Sequence, residues 1–273
     1  MKSMMKILRL STLVLLFSCG GGEDPESGGG GGGGTQNANI AGNWQVNMAS
    51  TISGISPMTL AGSITQSGSS VNGKVHVDGS NCFDRLTSIE LTGTLTSRNL
   101  SLSSTSIDGQ VLALTGRITS DPFTASLSGS YTISGGCAHG DQGIVAGFKV
   151  RSIGGTLRAE FESKSEEIWG GTAILTQSSP SPEGSFGIDG TVDVSLRCFS
   201  GTIISGTFPS PSFILGTSAA LNINTDDGTL IFEGTISDDG AKILGFYNVV
   251  GGRCNGEGGR GCFGSTHQGS CFS

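Results

Sequence analysis

Apolar residues recur two apart along most of this chain, with Ser or Thr between them, which is the period of a half-buried β-strand. The run Phe123, Ala125, Leu127, Gly129, Tyr131, Ile133 against Thr124, Ser126, Ser128, Ser130, Thr132 carries it most plainly. A five-residue motif recurs within the alternation: apolar, any, Gly, any, apolar. It occupies 40–44, 60–64, 71–75, 91–95, 114–118 and 127–131, and returns at 153–157, 188–192, 204–208, 232–236 and 243–247. Strands are predicted near 42–48, 57–66, 71–78, 87–96, 98–105, 110–119, 123–133 and 143–150, separated by turn signals such as Ser67-Gly68-Ser69 and Asp108-Gly109. Connections this short make sequential strands pair antiparallel, and eight of them fit a small up-and-down β-barrel. Sustained 3.6-residue periodicity is missing, and residues 158–168 come nearest to a helical turn.

Glycine weakens a strand, so its repetition on the inward face needs a cause. Inward positions of the first unit include Leu60, Ile64, Leu91, Leu95, Leu114 and Leu127, with Gly at 62, 93, 116 and 129. A sheet that coils sharply to close on itself crowds its concave face, and glycine relieves the crowding. Such a barrel packs its own side chains together or holds one small ligand, and packed cores with recognition on loops and rims are expected. Gly73 and Gly190 read instead as turn residues.

The pattern is duplicated. Cys82-Phe83 and Gly135-Gly136-Cys137 in the first half find Cys198-Phe199 and Gly252-Arg253-Cys254 in the second, and Gly129-Ser130-Tyr131 answers to Gly245-Phe246-Tyr247. A long self-similar period sets the domain count. The expectation is an all-β chain of two tandem homologous antiparallel meander units: residues 38–151, and residues 152–273 with a Cys-rich tail. The opening Gly42-Asn43-Trp44 resembles the Gly-x-Trp start of lipocalins, avidins and related eight-stranded barrels. The resemblance implies that Trp44 closes the barrel floor and that the open end holds a small apolar ligand. Unit two offers Gly155-Thr156-Leu157 at that place.

The N-terminus points to export. Lys2, Lys6 and Arg9 precede a short apolar stretch, Leu10 to Phe17, which reads as a signal peptide over residues 1–18 and is too short to span a bilayer. It ends in Leu16-Phe17-Ser18-Cys19, which resembles the lipobox of bacterial lipoproteins. That resemblance implies that Cys19 carries the acyl chains (palmitate among them) and becomes the mature N-terminus. Residues 20–34 hold ten glycines, so 19–37 read as a flexible tether from the lipid, with a reach on the order of 20 Å. Gly20 is not the Asp that retains many lipoproteins in the inner membrane, so the outer membrane is the expected location.

Losing Lys2, Lys6 and Arg9 with the signal takes the net charge from −7 to −10. An acidic body with scattered positives argues against a nucleic-acid partner, which needs clustered cations. Setting Cys19 aside leaves six cysteines, 82, 137, 198, 254, 262 and 271, an even number suited to disulfides in an oxidising compartment. If the units share a fold, Cys82 pairs with Cys137 and Cys198 with Cys254, leaving Cys262–Cys271 as a local staple. The alternative joins Cys254 to Cys262 and Cys198 to Cys271. No Cys-x-x-Cys spacing supports zinc, and Asp226-Asp227 and Asp238-Asp239 precede Gly as turns rather than as a calcium ladder. Neither a metal nor a cofactor is expected.

Of the three histidines, His76 alternates onto the polar face of a strand and His267 lies in the tail. Cys137-Ala138-His139-Gly140-Asp141 is the one place where His and Asp could meet in a turn, and unit two reads Cys254-Asn255-Gly256-Glu257 there. The sequence therefore predicts a lipid-anchored envelope protein with a non-catalytic binding or structural role, its partner an envelope or surface component. The alternatives are a lipocalin-like carrier of a small apolar ligand and a hydrolase using His139 and Asp141. Candidate ligand-binding residues are Trp44, Tyr131, His139, Asp141 and Tyr247.

Overall fold

A computed structural model describes residues 38–119, 125–195, 197–204, 211–237, 239–265 and 271–272. The predicted signal, tether and Cys19 lie outside them, as does His267. All the described residues belong to one compact unit, Thr35–Ser273.

The first eight strands close into a barrel: β1 (Gly42–Ser50), β2 (Met58–Ser67), β3 (Ser70–Asp78), β4 (Ile89–Thr96), β5 (Asn99–Ser104), β6 (Val111–Ile118), β7 (Ser126–Ser134) and β8 (Gln142–Val150). Each pairs antiparallel with its neighbour in sequence, and β8 returns to β1 with Val46 opposite Gly147. The second barrel runs through β9 (Gly155–Ser163), β10 (Ile168–Pro180), β11 (Phe186–Val194), β12 (Gly201–Ile203), β13 (Phe213–Leu215), β14 (Ser218–Thr225), β15 (Gly228–Ile236), β16 (Lys242–Val250) and β17 (Gly258–Ser265). It closes where β17 pairs with β9. Strands β12 and β13 share one place in the wall, each pairing with both β11 and β14. They correspond to β4 of the first barrel. Of the strand motif expected at 204–208 only Ile204 is described, directly after β12.

Alternation carries the burial as predicted. Leu60, Leu91, Leu95, Leu112, Leu114, Leu127 and Tyr131 are buried inside the first barrel, and Phe161, Phe232, Tyr247 and Phe263 inside the second. The helical expectation at 158–168 is wrong. Ala159 and Phe161 alternate inward against Arg158 and Glu162, so the segment is β9, a turn and the start of β10. Gly73 and Gly190 are mid-strand, not turn residues.

The motif glycines serve close approach between neighbouring backbones. Gly129 faces Gly116 across β6 and β7, and a Cβ on Gly129 would come 2.0 Å from the Thr115 carbonyl oxygen. Gly245 faces Gly234 at the matching place of the second barrel. A side chain at either pair would push two hydrogen-bonded strands apart.

Before each first strand one isoleucine plugs the barrel end. Ile40 donates its N–H to Gln66 Oε1 at 2.9 Å, and Ile153 donates to Gln177 Oε1 at 2.9 Å. Trp44 is buried beside Ile40 and donates Nε1–H to its carbonyl at 2.7 Å.

The second barrel stands with its turns against the side wall of the first. Asn43 and Gly216 exchange two hydrogen bonds, Nδ2 to the glycine carbonyl (2.7 Å) and the glycine N–H to Oδ1 (2.9 Å). Ser88 donates to Glu183 Oε2 at 2.7 Å. His76 does point out of its own barrel, but the second barrel covers it. Only 3% exposed, it has Nδ1 3.1 Å from the Arg85 carbonyl oxygen and Nε2 2.9 Å from that of Glu183.

Candidate functional site

Two-residue turns, 68–69 and 97–98, lie at one end of the first barrel, while the other carries the loops 51–57, 79–88 and 135–141. The Cys82–Cys137 disulfide joins the last two of these loops, and Cys198–Cys254 joins the matching pair in the second barrel. Cys262–Cys271 is a local staple over nine residues, so the pairing expected from the duplication is the one present. Gln110 reinforces the first bridge from below. It is buried, donating Nε2–H to the Cys82 carbonyl (2.8 Å) and accepting the Ala138 N–H on Oε1 (2.9 Å).

Between these loops opens a cleft of about 310 Å³, with Ile52, Ile55 and Met58 on its apolar side and Asn81, His139 and Asp141 on its polar side. Ile52 and Ile55 are partly exposed at its mouth. At its base the Asp141 carboxylate, 4% exposed, accepts hydrogen bonds from Ser50 Oγ (2.7 Å to Oδ1) and from the Tyr131 hydroxyl (3.2 and 3.1 Å). Burial pushes the Tyr131 phenol up to about 12, helped by the neighbouring Asp141 charge. The phenol thus stays a donor, and Asp141 is committed to holding β1 and β7 together at the rim.

His139 shares this cleft but is not a partner of the carboxylate. It is exposed, and its Nδ1 accepts the Gly135 N–H at 2.8 Å, closing its own loop. The second barrel repeats that loop with another side chain in the role: Asn255 Oδ1 accepts the Gly251 N–H at 2.9 Å. The surrounding backbone bonds repeat too, with Ile133 N–H to the Asp141 carbonyl (2.7 Å) matched by Val249 N–H to that of Glu257 (2.8 Å). A nucleophile–His–acid relay needs the imidazole between hydroxyl and carboxylate. Here Ser50 bonds Asp141 directly. Replacing His139 with Asn should therefore leave stability nearly unchanged in a denaturant titration. Replacing it with Ala, which removes the acceptor, should cost about 1 kcal/mol.

The matching rim of the second barrel is built from Ser163, Tyr247 and Glu257, with a different outcome. Ser163 turns to its own hairpin, bonding Ser165 and the Glu167 N–H. The Tyr247 hydroxyl is buried and has no hydrogen-bond partner among the described residues. Its pKa is also pushed up to about 12, by burial first and then by Glu257 and Glu162. The ring sits edge-on to Phe161 and Phe199 at 5.3 and 5.2 Å, and Trp169 stacks on Phe199 at 4.9 Å. Trp169 stands where Met58 lines the cleft of the first barrel, and Phe161 and Phe199 stand where that barrel has Met48 and Phe83.

The interior of the first barrel, where the resemblance to lipocalins places a ligand, holds a void of about 30 Å³ lined by Trp44, Ile40, Leu60, Leu91 and neighbours. That is room for a water or two, well under the ~300 Å³ of small-molecule sites. Trp44 is core. Asp226 and Asp227 lie in a turn as read, and so does Asp239: Asp227 takes a two-pronged contact from Arg253 (both 3.1 Å), and Asp239 accepts from Ser237 Oγ and the Ala241 N–H. Asp238 lies outside the described residues. Sequence reasoning missed Ser50 and Gln110, for which the one available signal was Ser163 at the homologous place to Ser50.

Comparison with known proteins yields no match: no family model fits the chain, and neither a curated protein nor a solved structure is significantly similar to it.

Proposed function

We propose that this protein is a lipid-anchored component of a bacterial cell envelope, held at the outer membrane through Cys19, whose role is recognition or structure rather than catalysis. The observation carrying the non-catalytic reading is that Asn255 takes over the hydrogen bond made by the one histidine in the cleft. A shared structural duty explains both residues, and a general base explains only His139. The small internal void weighs against a carrier, so recognition falls to the loop end of the first barrel, at the cleft beneath Ile52 and Ile55. Support for the anchor comes from the sequence: a signal-like stretch ending at Cys19, then a glycine-rich tether.

The anchor is tested by detergent-phase partitioning. The natural protein should enter the detergent phase, and Cys19→Ser should leave unprocessed precursor or a protein that stays in the aqueous phase. Unaltered partitioning of that variant defeats the anchor. Ester, peptide and glycoside substrate panels test the second half. Turnover that disappears in His139→Ala would replace this reading with the hydrolase.

A further inference from the structure

The duplication supplies an internal control for surface residues, because homologous strands pair with matching neighbours in the same register. On β7 the outward positions are Ser128, Ser130, Thr132 and Ser134. On β16 the matching positions are Leu244, Phe246, Asn248 and Val250. Three hydroxylated residues have become large apolar ones, although the strand is inward-packed on its other face in both cases. Phe246 is 70% exposed, Val250 48% and Leu244 44%. A cluster of this kind on one strand marks an interaction surface rather than scattered surface apolarity.

We propose that the outward face of β16, centred on Phe246, docks a second copy of this chain about a two-fold axis running along the strand. The cross-strand register carries the argument. Phe246 is flanked by Glu233 on β15 and Arg260 on β17, both exposed, so a row across the sheet reads acid, phenyl, base. A two-fold axis along β16 lays one such face on another with the row reversed. Phe246 meets its counterpart, and Glu233 of each copy meets Arg260 of the other. This is the isologous arrangement of cyclic dimers. The next row obeys the same reversal, since Ile231, Asn248 and Gly258 set a projecting side chain opposite a flat one. Arg260 already gives one Nη2–H to Glu162 at 2.6 Å, which leaves it further donors for a second carboxylate. Glu233 also selects between partners. A carboxylate beside the exposed Phe246 ring would be pressed against hydrocarbon on a lipid surface, whereas a second copy brings it a guanidinium.

Sedimentation of the full chain in detergent should show a dimer whose share rises with protein concentration. Phe246→Ser restores the residue type of the first barrel at an exposed site, and Glu233→Lys sets like charges opposite each other. Each should weaken association by at least about tenfold, or 1.4 kcal/mol, with the melting temperature unchanged when measured at a dilution where both proteins are monomeric. In the oxidising compartment Phe246→Cys should form a covalent dimer on non-reducing gels, and Ser130→Cys on the homologous strand should not. A chain that stays monomeric overturns the proposal, as does a dimer indifferent to all three Phe246 and Glu233 variants. So does vesicle binding that Phe246→Ser abolishes without any self-association.

Discussion

Between pH 10 and 12 the folded protein should lose a large part of its stability, while its phenolate absorbance lags well behind that of the unfolded chain. Its two tyrosines, Tyr131 and Tyr247, occupy the same place in the two barrels, and both have phenols pushed up to about 12. Burial is the main cause in each, with Asp141 adding its charge at Tyr131 and Glu257 and Glu162 at Tyr247. The unfolded chain ionises both near pH 10. The folded state therefore retains protons that the unfolded state gives up, and stability falls as pH rises through this window. Below pH 10 the contribution is complete. It amounts to on the order of 2 kcal/mol per tyrosine by pH 12. An ultraviolet titration should give one cooperative rise near or above pH 12, coincident with loss of β-sheet circular dichroism. A phenolate signal at pH 10 in protein that remains folded would contradict the buried hydroxyls.

The two tyrosines are distinguishable. Asp141→Asn removes the charge that raises Tyr131 but leaves an acceptor, so the Tyr131 phenolate should appear at lower pH while Tyr247 is unmoved. Tyr247→Phe removes a buried hydroxyl without a partner, and that change should be neutral or stabilising, because an unsatisfied polar group costs its desolvation. Tyr131→Phe should destabilise, since it strips Asp141 of one of its two donors.

Much of this architecture was written in the alternation. A barrel buries one face of every strand, so period two survives along the whole chain and marks the strands of the first barrel closely. The disulfides were legible for another reason: the duplication tied Cys82–Cys137 to Cys198–Cys254 as equivalent positions. What stayed hidden lies where burial has a second cause. His76 alternates onto the polar face, but the second barrel covers it there, as it covers Asn43, and no local pattern reports such docking. The segment at 158–168 misled because charged Arg158, Glu160 and Glu162 dominate it, although Leu157, Ala159 and Phe161 alternate beneath them. At β16 the motif over 243–247 placed Tyr247 inward correctly, although the outward Phe246 beside it is apolar too. The cleft was half visible. Its His139 and Asp141 were named, but Ser50, which bonds the carboxylate, sits ninety-odd positions away on a strand end where a serine attracts no notice.

Disrupting the seam between the barrels should separate them without unfolding either. Their cores are distinct, one built around Leu60, Leu91, Leu95 and Tyr131, the other around Phe161, Phe232 and Phe263. The seam rests on few groups. Asn43→Ala removes both hydrogen bonds to Gly216 and strands a buried N–H and C=O, at about 1–3 kcal/mol for each group left unsatisfied. Gly184→Val acts by volume instead. Gly184 has φ +88°, a region that side chains disfavour, and a Cβ there would lie 2.1 Å from the Lys74 carbonyl oxygen on β3 of the other barrel. Backbone cannot yield at that contact, so the whole turn must withdraw, taking with it the Glu183 contacts to His76 and Ser88. Calorimetry should then resolve two transitions, each retaining the cooperativity of a barrel closed by its own disulfide, and the radius of gyration in small-angle scattering should rise. Survival of a single transition at the original temperature in the Gly184→Val protein would mean that the seam does not couple the barrels.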